Sequence, residues 1–173
     1  MKSHTLLLIT VFLLFVSSFR VKAQLPLPDY NPVPVKADWL VVKASHKAAL
    51  YKDNNQNLVL SNGLISRTIS IIPDAATIGF DNLMTNEGLL RSVRPEAEVV
   101  IDGIRIDVGG LKGQPIHNYL LQDWIKSLSR NPVAFHFKNY ETSAVKARLD
   151  WKQKTEWMPA EAAWPYPGIS LTL

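Results

Sequence analysis

Residues 97–110 read AEVVIDGIRIDVGG. Ala97, Val99 and Ile101 recur at every second position, and Ile104, Ile106 and Val108 do the same after Asp102-Gly103. A period of two is the mark of a strand with one apolar face. Asp-Gly between two such runs predicts a two-residue hairpin turn. One buried face and one wet face predict an antiparallel sheet lying on a core.

Similar signals recur along the chain. Residues 58–60 (LVL) and 64–72 flank Ser61-Asn62-Gly63, a second predicted hairpin. The alternation of Ile65, Ile69 and Ile71 is broken at Arg67-Thr68, where a bulge fits, and Pro73-Asp74 ends the run. Residues 77–83 (TIGFDNL) predict the next strand, with Ile78, Phe80 and Leu83 inward. Residues 134–140 predict another, with Phe135 and Phe137 on one side and His136 and Lys138 on the other; residues 148–152 are a weaker strand signal. The final ISLTL alternates Ile169, Leu171 and Leu173 with Ser170 and Thr172.

A single segment changes period. In residues 118–128 (NYLLQDWIKSL), Leu121, Trp124, Ile125 and Leu128 fall at i, i+3, i+4 and i+7. That stripe predicts an amphipathic helix, with Asn118 capping its first turn and Trp124 in the core beneath the sheet. Asn131-Pro132 closes the segment. The fold class expected is mostly β: an antiparallel β-sandwich with one helical excursion, spanning residues 38–173. The apolar run stops at Leu173 with no turn and no polar tail, whereas domain ends usually fray into polar residues. The expectation is therefore a sandwich truncated at its C-terminus, continuing in a longer chain.

The N-terminus has a different character. Lys2 precedes an apolar run at residues 6–16 (LLLITVFLLFV), and Val21-Lys22-Ala23 supplies small residues at the −3 and −1 positions of a cleavage site. Residues 1–23 are expected to be a signal peptide cut between Ala23 and Gln24. The run is shorter than the ~20 residues that span a bilayer, so no membrane partner is expected after cleavage, and the destination is the periplasm or the medium. Residues 24–37 hold four prolines and predict an extended lead-in.

Composition then narrows the chemistry. The net charge is +4, and Lys2, Arg20 and Lys22 account for three of those charges, which leaves +1 after cleavage. That balance gives no electrostatic footprint for nucleic acid. The chain has no cysteine, which excludes a disulfide framework, thiol catalysis and cysteine-held metals. His46, His117 and His136 stand far apart in no ligand spacing, so neither a metal nor another cofactor is expected. Lys112 sits among Gly109, Gly110 and Gly113 but precedes Gly-Gln-Pro, the wrong order for a phosphate loop. Glu96, Glu98, Asp102 and Asp107 are expected to be solvated strand and turn polarity rather than a catalytic pair. His136 is expected to be a half-exposed strand residue.

The remaining candidates are aromatic. Trp157, Trp164 and Tyr166 lie in the proline-broken stretch TEWMPAEAAWPYPG. Aromatic rings on loops are platforms for sugars, because the apolar face of a pyranose stacks on them. Two readings stand: a substrate-binding platform, or staples covering one end of the sheet.

Residues 60–115, from LSNGLISRT through NLMTNEGLLRSVRPEAEVVIDG to GGLKGQP, resemble the N-terminal β-sandwich of secreted bacterial glycoside hydrolases. The nearest type is the α-galactosidase-like enzymes of glycoside hydrolase family 36 and relatives. The SNGLISRT and NLMT…E segments carry most of the likeness. The resemblance implies a larger carbohydrate-active enzyme with a (β/α)8 catalytic barrel after this domain, whose two aspartates act as nucleophile and acid/base. No catalytic residue is carried onto this chain. A free-standing carbohydrate-binding module and a structural or adhesion sandwich without ligand are the alternatives.

Overall fold

A computed structural model describes residues 26–33, 35, 38, 40–42, 47–151, 156 and 164–173. The expected signal peptide, its cut between Ala23 and Gln24, and Trp157 lie outside the described residues. The described chain is mostly β, with antiparallel sheets and one short helix.

Five strands form an antiparallel sheet in sequence order: β1 (Ala49–Lys52), β2 (Leu58–Ser61), β3 (Ile65–Ser70), β4 (Ala76–Asn82) and β5 (Glu87–Gly88). At the β2–β3 hairpin only Gly63 takes a positive φ, 82°. Asn62 contributes through its side chain, whose Oδ1 accepts from the Leu64 and Ile65 N–H groups at 3.0 and 2.9 Å. The expected bulge is present: Thr68 pairs with Gly79 and Ile69 with Thr77, so the extra residue, Ile78, belongs to β4. Leu58 and Leu60 share a sheet face with Leu50 and Ile69. The proline-rich stretch runs along the outer edge of β1, where Lys52 donates to Pro28 O (3.0 Å) and Tyr30 to Lys52 O (2.7 Å). This contact satisfies the outward N–H and C=O of Lys52 on what would otherwise be an open edge.

Three two-stranded ribbons complete the fold: β6 (Ala97–Ile101) with β7 (Ile104–Val108), β8 (Leu111–Lys112) with β9 (Ser129–Arg130), and β10 (Glu141–Ala144) with β11 (Ile169–Thr172). Asp102 and Gly103 close the first ribbon with φ of 50° and 78°, the pair of positive values a type I′ turn needs. The ribbon's tip does not lie on a core, however. Ile101 and Ile104 are paired opposite each other and both exposed. The alternation fixed the pairing and the face, but nothing among the described residues covers that face at the tip.

Two apolar clusters hold the elements together. Ala76, Ile78, Val93, Leu111 and Leu128 form one, with Leu120 and Ile125 against it. Leu50, Leu58 and Ile69 form the other, joined by Leu27, Leu60, Ile71, Tyr140, Ile169 and Leu171. Ile169 and Leu171 are therefore packed rather than presented as a bare edge, and β11 is paired residue for residue with β10.

The helix is shorter than expected. Helix α1 covers only Gln122–Ile125, and its N-cap is Leu121, not Asn118. The reason lies in Gln114. Its buried amide donates to Ile116 O (2.6 Å), Tyr119 O (3.0 Å) and Arg91 O (3.1 Å). Tyr119 O, which a helix starting at Asn118 would use, is held by that amide and drawn away from the ladder. The turns at 124, 127 and 128 instead use i→i−3 bonds, the tighter pattern of short helical pieces. The apolar stripe still works, since Ile125 and Leu128 reach the first cluster. Trp124 is half-buried against Tyr119, ring centroids 5.3 Å apart, rather than within either cluster.

Two further expectations are corrected. Residues 134–140 form no strand; Phe135 makes one isolated parallel bridge to Val108. Residues 148–150 carry no strand either, and the element before the last loop is β10.

Candidate functional site

The β10–β11 ribbon builds the candidate site. Thr142 and Ala144 stand opposite Leu171 and Ile169, and that face meets the Leu50–Leu58–Ile69 cluster. Because side chains alternate across a strand, Ser143, Ser170 and Thr172 point the other way. They line a cleft of about 690 Å³ with Trp164 and Tyr166 on its wall. Ala144 and Ile169 also border this cleft, so its lining joins the hydroxyls to apolar surface.

The two rings on that wall, Trp164 and Tyr166, belong to a chain of three whose third member, Trp151, packs on Trp164 from outside the cleft lining. Trp151 and Trp164 have centroids 5.0 Å apart at 59°, and Trp164 and Tyr166 are 5.8 Å apart, edge to face at 81°. Trp151, Trp164 and Tyr166 are 40%, 39% and 53% exposed. Tilted and edge-to-face contacts at these spacings are favourable, worth about 0.5–1.5 kcal/mol each beyond burial. The rings therefore hold one another in place while keeping apolar surface open. Trp164 and Tyr166, two of the three aromatic candidates, are in ring contact, and the third, Trp157, lies outside the described residues. The structure adds Trp151, which had been read as part of a weak strand; its distance in sequence from Trp164 gave no sign of the contact. Lys146 and Arg148 also border the cleft.

A second arrangement carries chemistry-bearing groups. Asp74, in the loop between β3 and β4, is 1% exposed. Its Oδ1 accepts from the Phe137 and Ala75 N–H groups at 2.7 and 2.9 Å, and its Oδ2 meets His136 Nδ1 at 2.6 Å. Burial alone would push this carboxyl up. The Phe137 N–H, the His136 ring and the Ala75 N–H together outweigh it and hold Asp74 below its ordinary value. His136 is thus no free strand residue but one arm of a clamp. A neighbouring cleft of about 240 Å³ is lined by His136, Lys138 and Glu96.

Glu96 departs from the expectation too. It binds the Arg67 guanidinium and the Thr77 backbone N–H, while Arg67 Nε donates to Thr77 Oγ1 at 2.8 Å. Asp107 accepts from Asn131 Nδ2 at 2.9 Å. Both acids connect elements rather than merely facing water. Glu98 pairs with Arg105 across the ribbon at 2.9 Å, on the surface.

Ser92 Oγ and His117 Nδ1 lie 2.8 Å apart, the spacing of a nucleophile and its base. Among the described residues no carboxylate hydrogen-bonds the His117 ring, so the orienting third member of a triad is not supplied. Asp81 is pushed above its ordinary value by burial, against a lowering contact from the Ser66 hydroxyl. It lines none of the clefts described above. Among the described residues no group of three or more His, Asp or Glu side chains is placed to hold a metal ion. Of these arrangements, the aromatic cleft alone joins open ring faces to a row of hydroxyl groups. Comparisons with family models, curated proteins and solved structures find no match to this chain.

Proposed function

We propose that this chain is a carbohydrate-binding, non-catalytic β-domain at the N-terminus of an exported glycoside hydrolase, α-galactosidase-like in type. The observation that carries the reading is the cleft on the β10–β11 ribbon: Trp164 and Tyr166, with Trp151 packed behind Trp164, beside Ser143, Ser170 and Thr172. Rings receive the apolar face of a pyranose, and hydroxyls exchange hydrogen bonds with its rim. Sites of this type are mostly apolar with a few placed polar groups. The leader-like N-terminus supports export, and the likeness of residues 60–115 supports the hydrolase context. Retaining glycoside hydrolysis needs two carboxyls about 5–5.5 Å apart, one of them kept protonated. The reading therefore assigns catalysis to a separate barrel domain and binding to this one.

The test is direct binding. The purified chain is titrated with oligosaccharides of several backbones, followed by tryptophan fluorescence and calorimetry. At least one should bind and perturb the tryptophan signal. Trp164→Ala should weaken that binding about tenfold, the equivalent of ~1.4 kcal/mol, within the range of one lost ring contact. An unchanged affinity in Trp164→Ala, with the fold intact by circular dichroism, overturns the site assignment.

A further inference from the structure

The charged groups on this cleft point to a narrower ligand. Lys146 and Arg148 line it beside Trp164 and Tyr166, and no acidic side chain is among its described lining residues. The salt bridges among the described residues involve Arg67, Arg105 and His136, and neither Lys146 nor Arg148 takes part in one. The described acids nearest in sequence, Glu141, Asp150 and Glu156, do not line the cleft. Neutral sugars are commonly gripped by carboxylate and amide side chains that accept from pairs of hydroxyls. This cleft offers hydroxyls and cations instead.

Resting on the carbohydrate reading above, we propose that the cleft selects anionic saccharides, with a ring stacked on Trp164 and Tyr166 and its carboxylate or sulfate group held by Arg148 and Lys146. Guanidinium is the planar, always-charged partner that takes a carboxylate or sulfate through two parallel hydrogen bonds; ammonium adds a compact point charge. The attraction is local. The chain's net charge is +1 once the three cations of residues 1–23 are set aside, so overall charge provides little pull on a polyanion. Both cations are exposed, which places them in reach of a ligand and makes their contribution sensitive to salt.

The decisive comparison uses one backbone with and without charge. Tetragalacturonate and its fully methyl-esterified counterpart are titrated against the full chain in parallel with a sulfated galactan oligomer, its desulfated form and polyglutamate. Tetragalacturonate should bind at least tenfold more tightly than its neutral ester, or the sulfated oligomer than its desulfated form, and the pair that shows the preference identifies carboxylate or sulfate as the group held. Arg148→Gln and Lys146→Gln should each remove most of that preference, weakening the charged oligomer far more than its neutral counterpart and leaving the thermal midpoint unchanged. Raising sodium chloride should erode the preference. Equal binding of charged and neutral oligomers overturns the anionic selection and leaves the carbohydrate reading standing. Equal binding of polyglutamate overturns it as well, by reducing the effect to ion exchange. Failure of every saccharide, neutral ones included, overturns the carbohydrate reading itself.

Discussion

Asp74 is a buried carboxylate that ties separate parts of the fold together, and its removal should show it. Its carboxylate ties the β3–β4 loop to the strap at residues 135–137. That strap is itself bonded to β7, with Phe135 N–H donating to Asp107 O and Gly109 N–H to Phe135 O, at 2.9 and 2.8 Å. Three parts of the chain meet at one buried charge. Asp74→Ala removes the acceptor for two backbone N–H groups and for the His136 ring. Hydrogen bonds to a charged group contribute about 1.5–3 kcal/mol each, and a donor left unpaired adds a penalty. The His136 ring is partly exposed and can turn to water, so the loss expected is that of the two backbone donors left unpaired, about 2–4 kcal/mol in all. Against a total stability of roughly 5–15 kcal/mol the loss is large, on the order of 10 °C in Tm for a domain of this size.

Asp74→Asn separates charge from geometry. The amide keeps an oxygen for the Phe137 and Ala75 N–H groups, and its NH2 can donate to His136 Nδ1 when the ring is neutral. The expected cost is about 1–2 kcal/mol. The acid limb provides a further check. Asp74 titrates lower in the folded protein than its ordinary value of about 3.9. Its stabilisation is then present above that unfolded value and is lost as pH falls through the folded one. Asp74→Asn should flatten this part of the stability–pH curve. Urea unfolding followed by tryptophan fluorescence, from pH 2 to pH 7, measures both effects. An Asp74→Ala protein within about 0.5 kcal/mol of the parent, the scatter of surface substitutions, refutes the clamp.

Glycine positions offer a graded test of backbone fit. A Cβ on Gly110 would lie 2.7 Å from Pro95 Cα at φ +86°, whereas one on Gly103 at φ +78° meets nothing within 4 Å. Gly103→Ala should lose only the ~1–2 kcal/mol of left-handed strain. Gly110→Ala should lose at least ~1 kcal/mol more or fail to fold, and equal denaturant midpoints would contradict the tight approach. Asp81 is held above its ordinary value by burial, so its ionised form weakens the fold once pH rises past the unfolded value. Asp81→Asn should therefore gain up to ~0.5 kcal/mol at pH 7 and nothing at pH 3. A loss at pH 7 in the same urea series would contradict this.

Local pairing was the part of the fold that could be read in advance. Asp102-Gly103 specified its turn because both residues tolerate positive φ, and the Val99–Ile106 alternation specified register with it. The break at Arg67-Thr68 marked the bulge, although the extra residue proved to lie across the ladder at Ile78. The helix was over-read because periodicity reports which side chains share a face and not where backbone carbonyls go. Leu121, Ile125 and Leu128 have helical spacing, yet Gln114 takes the Tyr119 carbonyl that a longer helix would use.

The docking of one element on another rests on a different kind of signal. Gln114, Asp74, Glu96 and Asn131 each join segments at least 19 residues apart. In the sequence they are ordinary polar residues in loops and strand ends, indistinguishable from solvated polarity. Only burial shows that each is satisfied by a specific partner, and a buried polar group without that partner would be costly. The candidate site follows the same division. Trp164 and Tyr166 were visible as aromatics in a proline-rich loop, because exposure of such rings is itself a local property. Lys146 and Arg148 were not visible, because what makes them part of the cleft is the return of the chain from β10 to β11, and the same return sets Trp151 against Trp164. A binding surface built across two strands of one ribbon is encoded by where that ribbon closes. Here Ala144 opposite Ile169 closes it, and the intervening loop brings its rings and cations back over the hydroxyl face.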